Sequence, residues 1–279
     1  MAITVIEYND LEQVNNLFWS QSHDANIDRY RSNSVFRGMP NVNYHLATSF
    51  HRNCGRYNEA IEEALLRNFA KYAVIGDDSI NKSIWKQLTL GQHHGLPTRL
   101  LDWTYSPLIA MHFATSAEGF GDMDKNDAVI WEIDICEMNE KMHKDYRKVL
   151  SDSSAYIMTI DMLDKLSEKR GFEAIKEYDR YMGSEAMLLI EPPSVDQRII
   201  SQFSYFSIVP SEMENRDDDL GIEEFLETTT STKKHVISSS LKWRIRDMLD
   251  QNNINERTVY PGLDGLSQWL KRYYYVKRI

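Results

Sequence analysis

The sequence lacks most of the features that would place it in a large known class. Its two cysteines, Cys54 and Cys136, lie far apart and outside any Cys-x-x-Cys spacing. That argues against a disulfide scaffold or a structural zinc site and fits a reducing cytosol. No apolar run approaches the roughly 18 residues needed to cross a bilayer, and the mean hydropathy is −0.51. The opening MAITVIEYND has no basic segment ahead of an apolar core, so no secretory signal, no membrane partner and a cytoplasmic location are expected. Glycine is sparse, with 12 residues, and neither G-x-G-x-x-G nor G-x-x-x-x-G-K-S/T occurs, which excludes the usual Rossmann and P-loop phosphate cradles. Positive charge is also in deficit. The net charge of −10 does not favour broad nucleic-acid binding, which needs a positive field to collect phosphates.

What is present is an ordinary globular composition, 42% hydrophobic and 27% charged over 279 residues, enough for one large core. The charge is unevenly placed. Residues 211–227 carry eight acids against one Arg, whereas 233–246 and 271–278 are basic. NDLEQVNNLFWS (9–20) reads as a helix, with Asn9 and Glu12 in capping-box positions and Val14, Leu17 and Phe18 on one face. A second helix is expected over 58–75, with Ile61, Leu65 and Phe69 at helical spacing, and a third from Ser79, with Ile80, Ile84 and Leu88 as its stripe. Ser106-Pro107 is a strong helix start for 106–117. Strands are expected near 33–37, 100–104, 128–135, 185–191 and 198–209. Residues 138–183 read as a helical insertion, and 211–279 as an acidic loop followed by a helical closure, the last helix turning Leu266, Trp269, Leu270 and Tyr273 inward. The pattern implies a single α+β domain over 1–279, with a split, curved mixed sheet flanked by helices.

Three polar clusters interrupt the apolar segments. In VFRGM, Arg37 ends a β-like run and Gly38 lets the chain turn; a guanidinium there suits phosphate or carboxylate, or an ion pair within the fold. In GQHHGLPTRLLDWTYSPLIAMHFA (91–114), His93 and His94 are adjacent and point apart, so they do not suggest one metal site. Asp102 and Thr104 can bond nearby amides, and the stretch lines a site or folds back on itself. In QRIISQFSYF, Arg198 and Gln202 would share one face of a strand, aimed at a ligand or at a neighbouring strand.

Together with EPPSVDQRIISQFSYFSI (191–208) and YPGLDGLSQWL (260–270), these segments resemble the FRG-domain family, from about Arg31 to Leu270. One departure falls at Phe203, where the family tends to have Gly after the Gln; the loss implies a less close approach of that strand to a ligand. The order of the segments is also similar to the Arg-Ser/Thr-Glu type of ADP-ribosyltransferase. That resemblance implies an ADP-ribosyltransferase-like fold and NAD as ligand, with no metal. Arg37 would meet the NAD phosphates, and Thr104 with Asp102 would shape the nicotinamide pocket. Gln202 stands where a Glu is expected. A related arrangement that removes a 2′-phosphate from RNA with NAD uses an Arg-His-Arg-Arg set, matched in order by Arg37, His94, Arg99 and Arg198. Gln202 brings no charge to an oxocarbenium-like transition state, so a third reading is a non-catalytic binding or sensing module in phage–host conflict. Because polar groups gather in these three places between apolar strands, Arg37, His94, Arg99, Asp102, Thr104, Arg198 and Gln202 are expected to converge on one concave surface.

Overall fold

The computed structural model describes residues 3–19, 22–25, 28–75, 78–117, 119–193, 197–215, 220–229 and 231–276. Ser194–Asp196 of the third motif, Arg216–Asp219 of the acidic stretch and Lys277–Ile279 lie outside the described residues, as does the side chain of Phe18.

The chain opens with β1 (Thr4–Tyr8) and α1 (Leu11–Trp19). The α1 cap sits one residue later than expected: Asp10 accepts from the Gln13 amide at 2.8 Å, and Gln13 reaches back to the Asn9 amide at 3.0 Å. A two-stranded ribbon, β2 (Ser22–Asp24) with β3 (Arg29–Arg31), precedes β4 (Ser34–Met39). Next come α2 (Ser49–Cys54), α3 (Glu59–Ala73), a 3-10 turn at Asp78–Lys82 and α4 (Ile84–His93), capped by Ser83. β5 (Leu100–Thr104) leads into α5 (Pro107–Ala114), where the Ser106 side chain accepts from the Ile109 amide and Pro107 opens the helix. β6 (Ala128–Asp134) is followed by α6 (Ile135–Lys141), α7 (Lys144–Asp152), β7 (Met158–Thr159), α8 (Ile160–Leu166) and α9 (Phe172–Met182). β8 (Leu188–Glu191), α10 (Gln197–Gln202), β9 (Ser204–Ile208), α11 (Ser211–Glu214) and α12 (Gly221–Glu227) come next. The chain finishes with β10 (Lys233–Ile237), α13 (Lys242–Gln251), α14 (Glu256–Val259) and α15 (Leu263–Tyr273).

Eight strands form one mixed sheet in the order β1-β10-β6-β4-β5-β9-β8-β7, parallel at its two outer pairs and antiparallel between. The protein is therefore α+β, with helices flanking a large mixed sheet. β4 and β5 are joined by a single residue pair, Phe36–Thr104, whereas β4 pairs with β6 over six residues. The sheet thus opens along the β4–β5 seam, and Arg37 stands at that opening.

Several expectations are corrected. Arg198 and Gln202 lie on α10, one helical turn apart, not on a strand. Three strands of the large sheet escaped the reading, β1, β7 and β10; β7 lies inside the segment expected to be a helical insertion, and β10 inside the one expected to be a helical closure. Gly38 does not turn the chain. It lies within β4, where a Cβ would come 1.8 Å from the Ala110 carbonyl oxygen, so glycine lets α5 press onto the sheet. On α3 the buried face is Glu62, Leu66 and Ala70, and Ile61 and Tyr72 are exposed. On α15 the buried residues are Gly265 and Arg272, and Leu270 and Tyr273 are exposed. In both helices a charged residue takes the inner face because a buried partner waits for it.

Candidate functional site

Arg37 projects from β4 into the seam, and its side chain is only 16% exposed. Its Nη1 donates to the Asp102 carbonyl at 2.7 Å, while the Asp102 carboxylate stands 3.6 Å away and is 56% exposed. Its Nε is buried and has no hydrogen-bond partner. Burial lowers the Arg37 pKa below the usual guanidinium range; Asp102 offsets this in part, and Arg52 adds to it. A desolvated cation with an exposed carboxylate as its nearest counter-charge is under-compensated.

Around it lies a pocket of about 210 Å³. Arg37, Asp102, Thr104, Arg198 and Gln202 all line it, so five of the seven expected residues do converge. Phe36, Phe113 and Ser204 complete much of the wall and were not foreseen. Asp102 is held from outside, its two oxygens accepting from the Gln92 side-chain amide at 3.1 and 3.0 Å. The Thr104 hydroxyl is committed at both ends: it donates to the Gln202 carbonyl at 2.8 Å and accepts from the Ser106 amide at 3.1 Å. It fixes the end of α10 against the start of α5. Gln202 is buried, and its Nε2 donates to the Val259 carbonyl at 3.0 Å. Arg198 lies over the Tyr260 ring, 5.1 Å from its centroid.

Two expected residues do not reach this pocket. Arg99 is wholly buried elsewhere: Nε and Nη2 form a fork on Glu62 at 2.7 and 2.5 Å, and Nη1 meets Asp179 at 2.5 Å. Its guanidinium also stacks on Tyr57 at 4.9 Å. Burial alone would lower its pKa, but the two carboxylates overcome that and hold it well above the usual value. His94 is exposed at the C-terminal end of α4, next to His93 and Phe69. The Arg-His-Arg-Arg set therefore does not assemble: Arg37 and Arg198 line the pocket, Arg99 is a structural ion pair, and His94 is exposed at the end of α4 outside the pocket lining.

Phe203 carries the departure noted in the sequence. Its φ is +50°, the left-handed conformation that glycine adopts freely and a bulky residue rarely does. The backbone shape that a glycine would give is thus kept, and the Phe203 ring packs on Tyr105 at 4.7 Å.

A larger cavity of about 460 Å³ lies beside the first. Arg198 lines both. Its walls include Phe120, Tyr260, Asp264 and Gln268, over a floor of buried ions that sequence reading missed. There Arg246 and Arg272 both contact Glu256, Arg272 also forks onto Asp250, and Arg246 Nη1 meets His112 Nδ1 at 2.8 Å. Burial would raise the Glu256 pKa, but the two guanidinium groups bring it down to about 2. Burial next to Arg246 keeps His112 neutral, its pKa well below the ordinary value. Among the described residues, no cluster of three or more His, Cys, Asp or Glu side chains could hold a metal ion. No described helix is long and apolar enough to cross a membrane.

Residues 32–122, which contain β4, β5 and α5, match the model of the FRG domain. That segment, about a third of the chain, is similar to the FRG domain. No curated protein and no solved structure matches it.

Proposed function

We propose that the seam pocket binds the phosphate of a nucleotide, of the NAD or adenine nucleotide class, on an ADP-ribosyltransferase-like scaffold. The observation that carries this reading is Arg37: a buried guanidinium with an orphan Nε, lining an open pocket, bonded to the Asp102 carbonyl and with the exposed Asp102 carboxylate as its counter-charge. An incoming phosphate would supply the missing counter-charge, and Arg198 on the same wall would share it. Catalysis is the weaker half of the proposal. Gln202 brings no negative charge to a sugar, and one N–H of its amide is engaged by the Val259 carbonyl. Binding with little turnover, as in a sensing module, is the form this geometry supports best.

The test is calorimetric titration with NAD and ADP, with nicotinamide release followed in parallel. A charge-assisted Arg–phosphate bond contributes about 1.5–3 kcal/mol, so Arg37→Ala should weaken binding roughly 10- to 150-fold. Arg37→Lys should restore only part of this, because an ammonium lacks the planar fork. Absence of binding by the unaltered protein would remove the proposal.

A further inference from the structure

We propose that the larger cavity beyond Arg198 is a nucleobase site, selective for a purine with an exocyclic amine, built from Asp264, Gln268, Tyr260 and Phe120 of the wall outside the seam. The inference rests on the phosphate reading of the seam pocket and names what lies at the other end of that ligand.

Size and continuity argue for it. The seam pocket, at about 210 Å³, has room for a phosphate and part of a sugar, while the neighbouring cavity offers about 460 Å³. The two adjoin at three places. Arg198 lines both sides; His112 and Phe113 are consecutive on α5 and face one cavity each; Gln202 of the inner pocket bonds to Val259, whose neighbour Tyr260 lines the outer one. A ligand anchored by its phosphates at Arg37 and Arg198 and extending past Arg198 would have its remainder in the outer cavity.

The chemistry of that cavity is unlike the seam. Phe120 and Tyr260 supply aromatic faces, and Met123 and Ala117 add apolar surface, which suits a flat ring. Asp264 and Gln268 stand one turn apart on α15 and are exposed at the mouth. A carboxylate only accepts hydrogen bonds, so Asp264 selects a ring edge that donates, such as an amine; a side-chain amide can serve either role. The buried cations here differ from Arg37: the Nε of Arg246 is also without a partner, but Arg246 and Arg272 already have buried counter-charges in Glu256 and Asp250, so they have less need of a phosphate. Most of this wall lies beyond residue 122, outside the matched FRG segment, so base choice would be set by the part of the chain that the family model does not cover.

The experiment titrates the full chain with ADP, with inosine diphosphate, which keeps the purine but lacks the amine, and with inorganic pyrophosphate. The unaltered protein should bind ADP at least 10-fold more tightly than either of the others. Asp264→Ala and Gln268→Ala replace exposed side chains, so folding should survive; together they should remove the preference for ADP. Pyrophosphate binding should be unchanged or slightly tighter, because a carboxylate has been taken away. Equal affinity for ADP and inosine diphosphate, or a pair of variants that leaves the ADP preference intact, would overturn the inference while pyrophosphate binding still upheld the seam site. Failure of pyrophosphate and ADP alike to bind the unaltered protein would overturn both.

Discussion

Two arginines from the motif-bearing segments end in opposite circumstances. Around Arg99 every requirement is met: Glu62 takes two of its N–H groups, Asp179 another, Tyr57 covers its face, and the residue is fully buried. Around Arg37 one carbonyl is bonded, one nitrogen is orphaned, and the adjoining space is open. Buried charge is stable when paired and hydrogen-bonded, and costly when it is not. The first arrangement is therefore architecture, and the second leaves a buried cation short of counter-charge beside open space, which is what the proposed anion site rests on.

The largest expected effect comes from breaking the satisfied arginine. Arg99→Ala would leave Glu62 buried without its cation, and urea unfolding should show a loss of about 3–5 kcal/mol. Arg37→Ala strands no buried carboxylate, so its stability should change by less than about 1 kcal/mol. Equal losses in the two variants would erase the distinction between them.

A second effect sharpens the picture of the Arg99 region. Glu214 is buried, bonded by the Thr48 hydroxyl at 2.9 Å on one oxygen, with no partner on the other. Burial pushes its pKa up to about 7, against relief from Thr48 and Arg99. The folded protein holds this proton more tightly than the unfolded chain does. Its contribution is thus fully present below pH about 4.5 and declines as pH rises to about 7. At about 1.4 kcal/mol per unit the decline amounts to roughly 3 kcal/mol. Glu214→Gln should flatten it, raising stability at pH 8 and changing little at pH 4.5, as denaturant melts at the two pH values would show.

The smallest effect falls at Phe203. Replacing it with glycine relieves a left-handed conformation costing about 1–2 kcal/mol and forfeits a ring contact with Tyr105 of about 0.5–1.5 kcal/mol. The net change in stability should stay within about 1 kcal/mol. A loss well beyond that would mean the ring carries more of the sheet end than its exposure suggests.

Much of this was legible in the sequence where the signal was local. Ser106-Pro107 marked the start of α5, and the apolar run at 128–135 marked β6. The convergence of the segments holding Arg37, Asp102, Thr104, Arg198 and Gln202 on one pocket was legible, although Arg198 and Gln202 were placed on the wrong element. RIISQFSYFSIV is rich in residues that favour strands, yet its first turn is helical. That turn is held by bonds from Thr104 and to Val259, 98 and 57 residues away. Arg99 could not be told from Arg37 because its partners lie 37 and 80 residues off. The strand β10 sits in a Lys- and Ser-rich stretch whose charge masks its alternation.

The most direct test of the central claim is a titration of the unaltered protein and Arg37→Ala with ADP, at low salt and pH 7. The account predicts binding that weakens roughly 10- to 150-fold in the variant, at unchanged fold stability. Equal ADP affinity in the two proteins would contradict it.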